Sequence, residues 1–118
     1  MKNQICRGDI VYMNLPQQRG NIQSGFRPCI VVSNNRSNEK SKILNVIPLS
    51  AQIKQNPVHV LLSPKDIRGY LEKESDVLTE QIVTRSIEDV ISKVGHLSEK
   101  SDVMRAIEKS IQFQLGLG

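Results

Sequence analysis

Apolar residues fall along this chain in short runs and alternations broken by polar, glycine or proline positions, and a helical period appears near the C-terminus. After an Arg-Gly turn, Gly8-Asp9-Ile10-Val11-Tyr12-Met13-Asn14-Leu15 mixes β-branched and aromatic residues, which predicts a strand from Asp9 to Leu15. Pro16 breaks it, and Gln17 to Gly25 reads as a polar, glycine-punctuated loop with Arg19 near its tip. The continuous run Ile30-Val31-Val32 predicts a second strand, Arg27 to Ser33, covered on both faces. Pro28 fits the start of that strand, where its missing N–H costs little. Ser33, Asn34 and Asn35 carry turn chemistry, continued as a polar turn to residue 41. Ile43 to Leu49 reads as a third strand with Pro48 marking an edge or a bulge, Ser50 just beyond it, and Pro57 to Leu62 as a fourth. Strands this close leave no room for crossover helices, so they pair antiparallel in a small barrel or sandwich.

Ser63-Pro64 begins a turn through Gly69, and β character resumes over Ser75 to Val83. Thr84 to Val94 is ambiguous: Ile87, Val90 and Ile91 are spaced for one helical turn, while Lys93 to Leu97 returns to a strand. Val103, Ile107, Ile111 and Leu115 then recur every four residues behind Ser98 or Ser101 as N-cap, with Glu99 and Asp102 in the first turn. That pattern predicts an amphipathic helix closed by Gly116. The expected fold is mainly β with a C-terminal α-helix, as one domain over residues 1–118, a size that supports a core.

Charge sharpens this picture because it is uneven. The net charge of +4 divides into +6 over residues 1–60, where eight Lys and Arg face only Asp9 and Glu39, and −2 over residues 61–118. A polyanion would therefore meet the N-terminal half. No apolar run approaches the roughly 18 residues of a membrane span and no secretory signal pattern is present, so a cytoplasmic location away from the membrane is expected. Cys6 and Cys29 are not in a Cys-x-x-Cys spacing, and Cys29 reads as a small core hydrophobe. His59 and His96 are the only histidines, and no Cys, His or carboxylate cluster has metal-ligand spacing, so neither metal nor cofactor is expected. His59 reads first as a partly buried structural residue and second as a general base.

P-loop, dinucleotide and nucleophile-elbow motifs are missing, which disfavours nucleotide-dependent enzymes and common hydrolases. Chemistry here falls to a cation and hydroxyls. Cleavage of RNA suits that inventory: the substrate's own 2′-OH is the nucleophile, so the protein need only orient an in-line attack and stabilise the phosphorane. An arginine fork matches phosphate oxygens and a serine hydroxyl adds a hydrogen bond. Arg27 sits at the mouth of the second strand beside Pro28 and can be either a phosphate ligand or an ordinary solvated edge cation. With four Phe and Tyr and no Trp, a broad stacking platform is disfavoured. Phe26 is the aromatic to watch for base contact, its alternative being a plug at the strand mouth.

Three stretches in register carry a family likeness. Arg7-Gly8-Asp9-Ile10-Val11-Tyr12, Gly25-Phe26-Arg27-Pro28 leading into Ile30-Val31-Val32-Ser33-Asn34, and Val77-Leu78-Thr79-Glu80-Gln81-Ile82 together resemble the MazF/PemK family of toxin endoribonucleases, over about Arg7 to Leu115. The resemblance implies a small SH3-like (CcdB/PemK-type) antiparallel β-barrel, acting as a homodimer that cuts single-stranded RNA without metal to leave 2′,3′-cyclic phosphate and 5′-OH ends. It implies Arg27 as the catalytic arginine and Ser50 as its hydroxyl partner, where many members have Thr. The serine keeps the hydroxyl and loses the methyl that stiffens χ1. It further implies that the loop Gln17 to Ser24 gates the substrate. Arg19, Gln23, Ser24, Gly25, Phe26, Pro28 and Gln52 would contact RNA, and Glu80 and Gln81 would line or brace the site. The implied protein partner is a cognate, MazE-like antitoxin whose disordered, partly acidic tail would occupy the basic groove.

Two other classes compete. A gyrase-poisoning toxin of the CcdB type would act by protein binding through a C-terminal aromatic contact, whereas this chain ends Gln114-Leu115-Gly116-Leu117-Gly118 and has no Trp. A non-catalytic SH3-like module would bind RNA in a salt-sensitive way without cyclic-phosphate products.

Overall fold

The computed structural model describes residues 4–118; Lys2, counted with the basic half, lies outside them. The elements are β1 (Asp9–Leu15), β2 (Gly25–Val31), α1 (Asn35–Lys40), β3 (Ile43–Ser50), β4 (Val60–Leu62), β5 (Arg68–Gly69), β6 (Ser75–Val77), β7 (Val83–Ser86), β8 (Val90–His96) and α2 (Asp102–Gln114). All strand pairs are antiparallel, in the order β4-β6-β3-β2-β1-β8-β5, with β7 alongside the first half of β3. The sheet curls into a half-barrel because β3 changes partners along its length. Ile43 to Val46 pairs β7, Val46 to Pro48 pairs β2, and Leu49 and Ser50 pair β6. Pro48 lies near the corner, so the expected edge is instead a partner switch in a central strand, where a missing N–H is tolerated. Register shifts between β1 and β8 at Ile10/Val11 and Tyr12/Met13 add local bend and twist.

Alternation along the strands divides the apolar residues between two faces. Ile10, Ile30, Ile47, Leu62, Val77 and Leu97 pack with Met104 and Ile107 of α2, while Val11, Met13, Cys29, Val31, Leu44 and Val46 form a second cluster on the other side. This explains the uninterrupted run in β2: Cys29, Ile30 and Val31 are each fully buried, on alternating sides.

α2 starts at Ser101, whose hydroxyl accepts from the Met104 N–H at 3.1 Å. Its buried stripe holds Met104 and Ile107, whereas Leu115, one of the four-residue set, is half exposed. Each step of four residues overshoots a full turn by about 40°, so after three steps Leu115 has rotated off the face that Val103 began. Arg7 ties the helix to the sheet, donating from Nε to the Val32 carbonyl at 3.0 Å and pairing through Nη1 with Glu108 at 2.9 Å. One cation of the basic half is thus structural.

His96 is structural too. Its Nδ1 lies 2.7 Å from the buried Asp9 carboxylate, which also accepts the Cys6 N–H at 2.7 Å and meets Lys93 at 3.3 Å, tying the N-terminal turn to β8. The turn itself needs Gly8, at φ +95°, because a Cβ there would lie 2.2 Å from the Leu97 carbonyl oxygen.

Three local expectations are corrected. The polar stretch after Ser33 folds as α1, its N-cap Asn34 accepting from the Ser37 N–H at 2.8 Å. Residues 57–59 lie outside β4, and the β stretch expected over Ser75 to Val83 is broken by a 3-10 turn at Thr79–Gln81. The ambiguous region resolves into β7, a 3-10 turn at Ile87–Asp89, and β8.

Candidate functional site

Arg27 occupies the third position of β2, past the point where β2 and β3 cease to pair. Its guanidinium fills that gap. Nε donates to the Ser24 carbonyl at 3.2 Å and Nη1 to the Leu49 carbonyl at 3.3 Å, so the loop before β2 and the end of β3 both hold it. Two of five N–H donors are used, and the others remain for a ligand. Arg27 lines a cavity of about 260 Å³ with Phe26, Pro28, Ala51, Glu72, Lys73 and Ser75. Lys73, a second cation on this cavity, was invisible to sequence reasoning because 46 positions separate it from Arg27 and no local pattern marks it.

Ser50 is the last residue of β3 and is buried. It follows Leu49, whose carbonyl holds Arg27, so the two predicted catalytic residues come to neighbouring strands without a direct hydrogen bond between them. The Ser50 hydroxyl accepts from the Gln52 N–H at 3.2 Å and donates to the Gln52 carbonyl at 3.4 Å, a long bond that a substrate oxygen could replace. Gln52 therefore reaches the site through its backbone. Its side chain has no hydrogen-bond partner among the described residues.

The remaining predicted residues separate into groups. Ser24 serves through its carbonyl, Gly25 at φ +83° turns the chain into β2, and Phe26 and Pro28 line the cavity. Gln81 is committed to the loop, its Oε1 accepting the Gln23 N–H at 2.7 Å and its Nε2 donating to the Asn21 carbonyl at 3.0 Å. Glu80 is committed to His59. Both are braces. Arg19 is exposed, has no hydrogen-bond or ion-pair partner among the described residues and is not among those lining the Arg27 cavity.

A chain of acids and a histidine lies beside Ser50. Asp76 is the cross-strand partner of Ser50, so their side chains share a face. The fully buried Asp76 carboxylate accepts the Lys54 N–H at 2.9 Å and lies 2.9 Å from His59 Nδ1. His59 Nε2 in turn lies 2.7 and 2.9 Å from the two Glu80 oxygens. Each ring nitrogen thus has a carboxylate partner. The His59 side chain is 3% exposed and that of Glu80 32%, so the series runs from the core outward. Its partners stand 17 and 21 positions from His59, beyond the reach of any sequence spacing rule.

Behind Arg27, Cys29 is fully buried. Burial pushes its thiol up to about 12, against the lowering pull of the Arg27 and Arg85 charges. The thiol is inert at neutral pH. In the native protein one thiol, Cys6, is expected to react with a colorimetric disulfide reagent, and two after denaturation. The linkage sign is fixed: the unfolded thiol ionises near 9.0 and the folded one near 12, so stability is full below 9 and falls as pH rises toward 12, by up to about 1.4 kcal/mol per unit. Comparing denaturation midpoints of wild type and Cys29→Ala across that range checks it, since the variant should lack this part of the alkaline loss.

A family model described as PemK-like, MazF-like toxin of type II toxin-antitoxin system matches residues 6–115. Endoribonuclease EndoA of Bacillus subtilis (strain 168) is 32% identical over 115 residues, covering 96% of each chain. Among solved structures, MazF from Deinococcus radiodurans superposes with a TM-score of 0.80 at 20% identity, covering 98% of this chain and 100% of that one. An endoribonuclease in complex with its cognate antitoxin from Mycobacterial species gives 0.74 at 22% identity, covering 99% and 98%. The half-barrel with its C-terminal helix is thus the fold of those proteins. Among the described residues no helix is long and apolar enough to cross a membrane.

Proposed function

The chain belongs to the PemK-like, MazF-like toxins of type II toxin–antitoxin systems, and from that premise we infer that it is an endoribonuclease cutting single-stranded RNA at a short sequence. The observation that carries this reading is Arg27 at the Gly25-Phe26-Arg27-Pro28 turn, its guanidinium held by two carbonyls on a cavity that Lys73 also lines.

In this reading the RNA's 2′-oxygen attacks the adjacent phosphorus, the bond to the 5′-oxygen breaks, and the products carry a 2′,3′-cyclic phosphate and a 5′-OH. No water or metal enters the bond changes. The free N–H groups of Arg27 bind the non-bridging oxygens as charge accumulates on the phosphorane, and the Ser50 hydroxyl adds a hydrogen bond. Arginine is a poor base, its pKa lying above about 12. The 2′-OH proton therefore goes to the series Asp76–His59–Glu80, through its exposed end at Glu80, and the departing 5′-oxygen takes a proton from the same series. Support for this assignment is the cross-strand placement of Asp76 beside Ser50.

The reading extends to one domain acting in the cytoplasm as a homodimer, neutralised by a cognate antitoxin. Exposed Leu61, Phe113, Leu115 and Leu117, on edge strand β4 and at the end of the helix beside it, supply apolar area for a second copy. The excess of basic residues before residue 60 complements an acidic tail.

Incubating the purified protein with a long RNA in a chelator, then mapping both ends, tests the reading. A fixed short word with 2′,3′-cyclic phosphate and 5′-OH ends is expected. Intact RNA, or random cutting lost on further purification, would overturn it.

A further inference from the structure

Two of the four aromatic side chains meet on the outer edge of this site. Tyr12 on β1 and Phe26 on β2 are diagonal neighbours, since Tyr12 pairs with Pro28 and Asn14 with Phe26, so all of these side chains share one face. The rings stack with centroids 6.2 Å apart and planes 21° from parallel. That is an offset stack in which each ring stiffens the other. Phe26 is nevertheless 60% exposed.

A Phe of this exposure beside a working cation calls for an occupant, and the surrounding charge says which. Arg27, next in the strand, pairs with Met13 and leaves on the opposite face, and the two residues meet only in lining the cavity that also carries Lys73. A group at that cavity therefore meets Arg27 and Lys73 and one acid, Glu72, while the Phe26 face of β1 and β2 is completed by the uncharged Tyr12, Asn14 and Pro28. A flat, uncharged ring attached to a phosphate fits this arrangement. We propose that the Tyr12–Phe26 stack is a base-binding platform that holds the nucleobase next to the phosphate bound by Arg27. Asn14, exposed and directly across from Phe26, offers an amide to the edge of that base. Stacking tolerates any base, so the platform contributes affinity and position, while Asn14 supplies any preference.

This inference rests on the RNA-cleaving reading, and one experiment separates them. After the cut word is mapped, an end-labelled RNA carrying it is made uncleavable by a 2′-deoxy sugar at the cut, and each flanking nucleotide is replaced in turn by an abasic one. Binding is measured by fluorescence anisotropy for wild type, Phe26→Ala and Phe26→Trp. At one position beside the cut, base removal should weaken wild-type binding by about 5- to 150-fold. Phe26→Ala should bind the intact RNA more weakly by a similar factor and lose sensitivity to that position, and Phe26→Trp should restore both. A Phe26→Ala protein with the wild-type abasic profile sinks the platform alone. So does one that dissociates from dimer to monomer in sedimentation, which would assign the face to a second copy. If wild type neither cuts nor binds RNA, the functional reading falls and the platform with it.

Discussion

Arg27→Ala is expected to lower the rate of RNA cleavage by about 10³- to 10⁵-fold, the range set by arginines that stabilise a phosphoryl transition state and by single oxyanion donors. The loss should appear in the chemical step, because the free N–H groups of the guanidinium meet the most charge when the phosphorane forms. Fold should survive. The side chain makes only two hydrogen bonds, both to backbone carbonyls at the splayed end of β2 and β3, so stability should change by about 1–2 kcal/mol. Arg27→Lys retains the charge and discards the fork, so it should recover only a small part of the rate. Single-turnover cleavage of a labelled RNA, alongside denaturant unfolding of each variant, measures both effects. Cleavage by folded Arg27→Ala within tenfold of wild type would remove Arg27 from the mechanism.

The strand that carries Arg27 could be read from local signals, a proline after it, a glycine two before it and a β-branched run behind it, while its role came from the family resemblance, since those signals alone left an ordinary edge cation open. The same locality made β1, β2, β3 and α2 readable, each having its own period or cap. Where several outcomes share one local chemistry, sequence failed. Asn34 to Lys40 has the Asn and Ser of a turn, and the same residues cap and build α1. Thr79 and its neighbours have β-forming side chains, yet Leu78 N–H bonds the Pro48 carbonyl at the barrel corner and the chain turns there. Non-local meetings were invisible. Lys73 reaches the Arg27 cavity, Tyr12 reaches Phe26, and His59 lies between two acids only because the sheet curls and the register places them so. Sequence showed Phe26 as a lone aromatic and His59 as a lone histidine. Partners turn each into part of a device.

His59→Ala is expected to cost about 3–5 kcal/mol of stability, as when a buried carboxylate loses its partner. The ring is 3% exposed and joins the fully buried Asp76 to Glu80, so its removal leaves two carboxylates facing an emptied site, with the Lys54 N–H as the remaining donor to Asp76. The damage should spread to α2, because Ser110 donates to the carbonyl of Val58, next to His59, and contacts Thr79, next to Glu80. Removing an acid along with the ring should relieve part of the loss. His59→Ala combined with Asp76→Asn should cost less than the sum of the two single changes, whereas independent sites would add. Urea unfolding of the four proteins, analysed at a common slope, measures the coupling. A His59→Ala loss below about 1 kcal/mol, or strict additivity, would mean that the histidine does not hold the two acids together in solution. Cleavage measured per folded molecule then separates the roles: if the series also moves the proton, His59→Gln, which keeps hydrogen-bonding capacity without an imidazole, should be more stable than His59→Ala and equally slow.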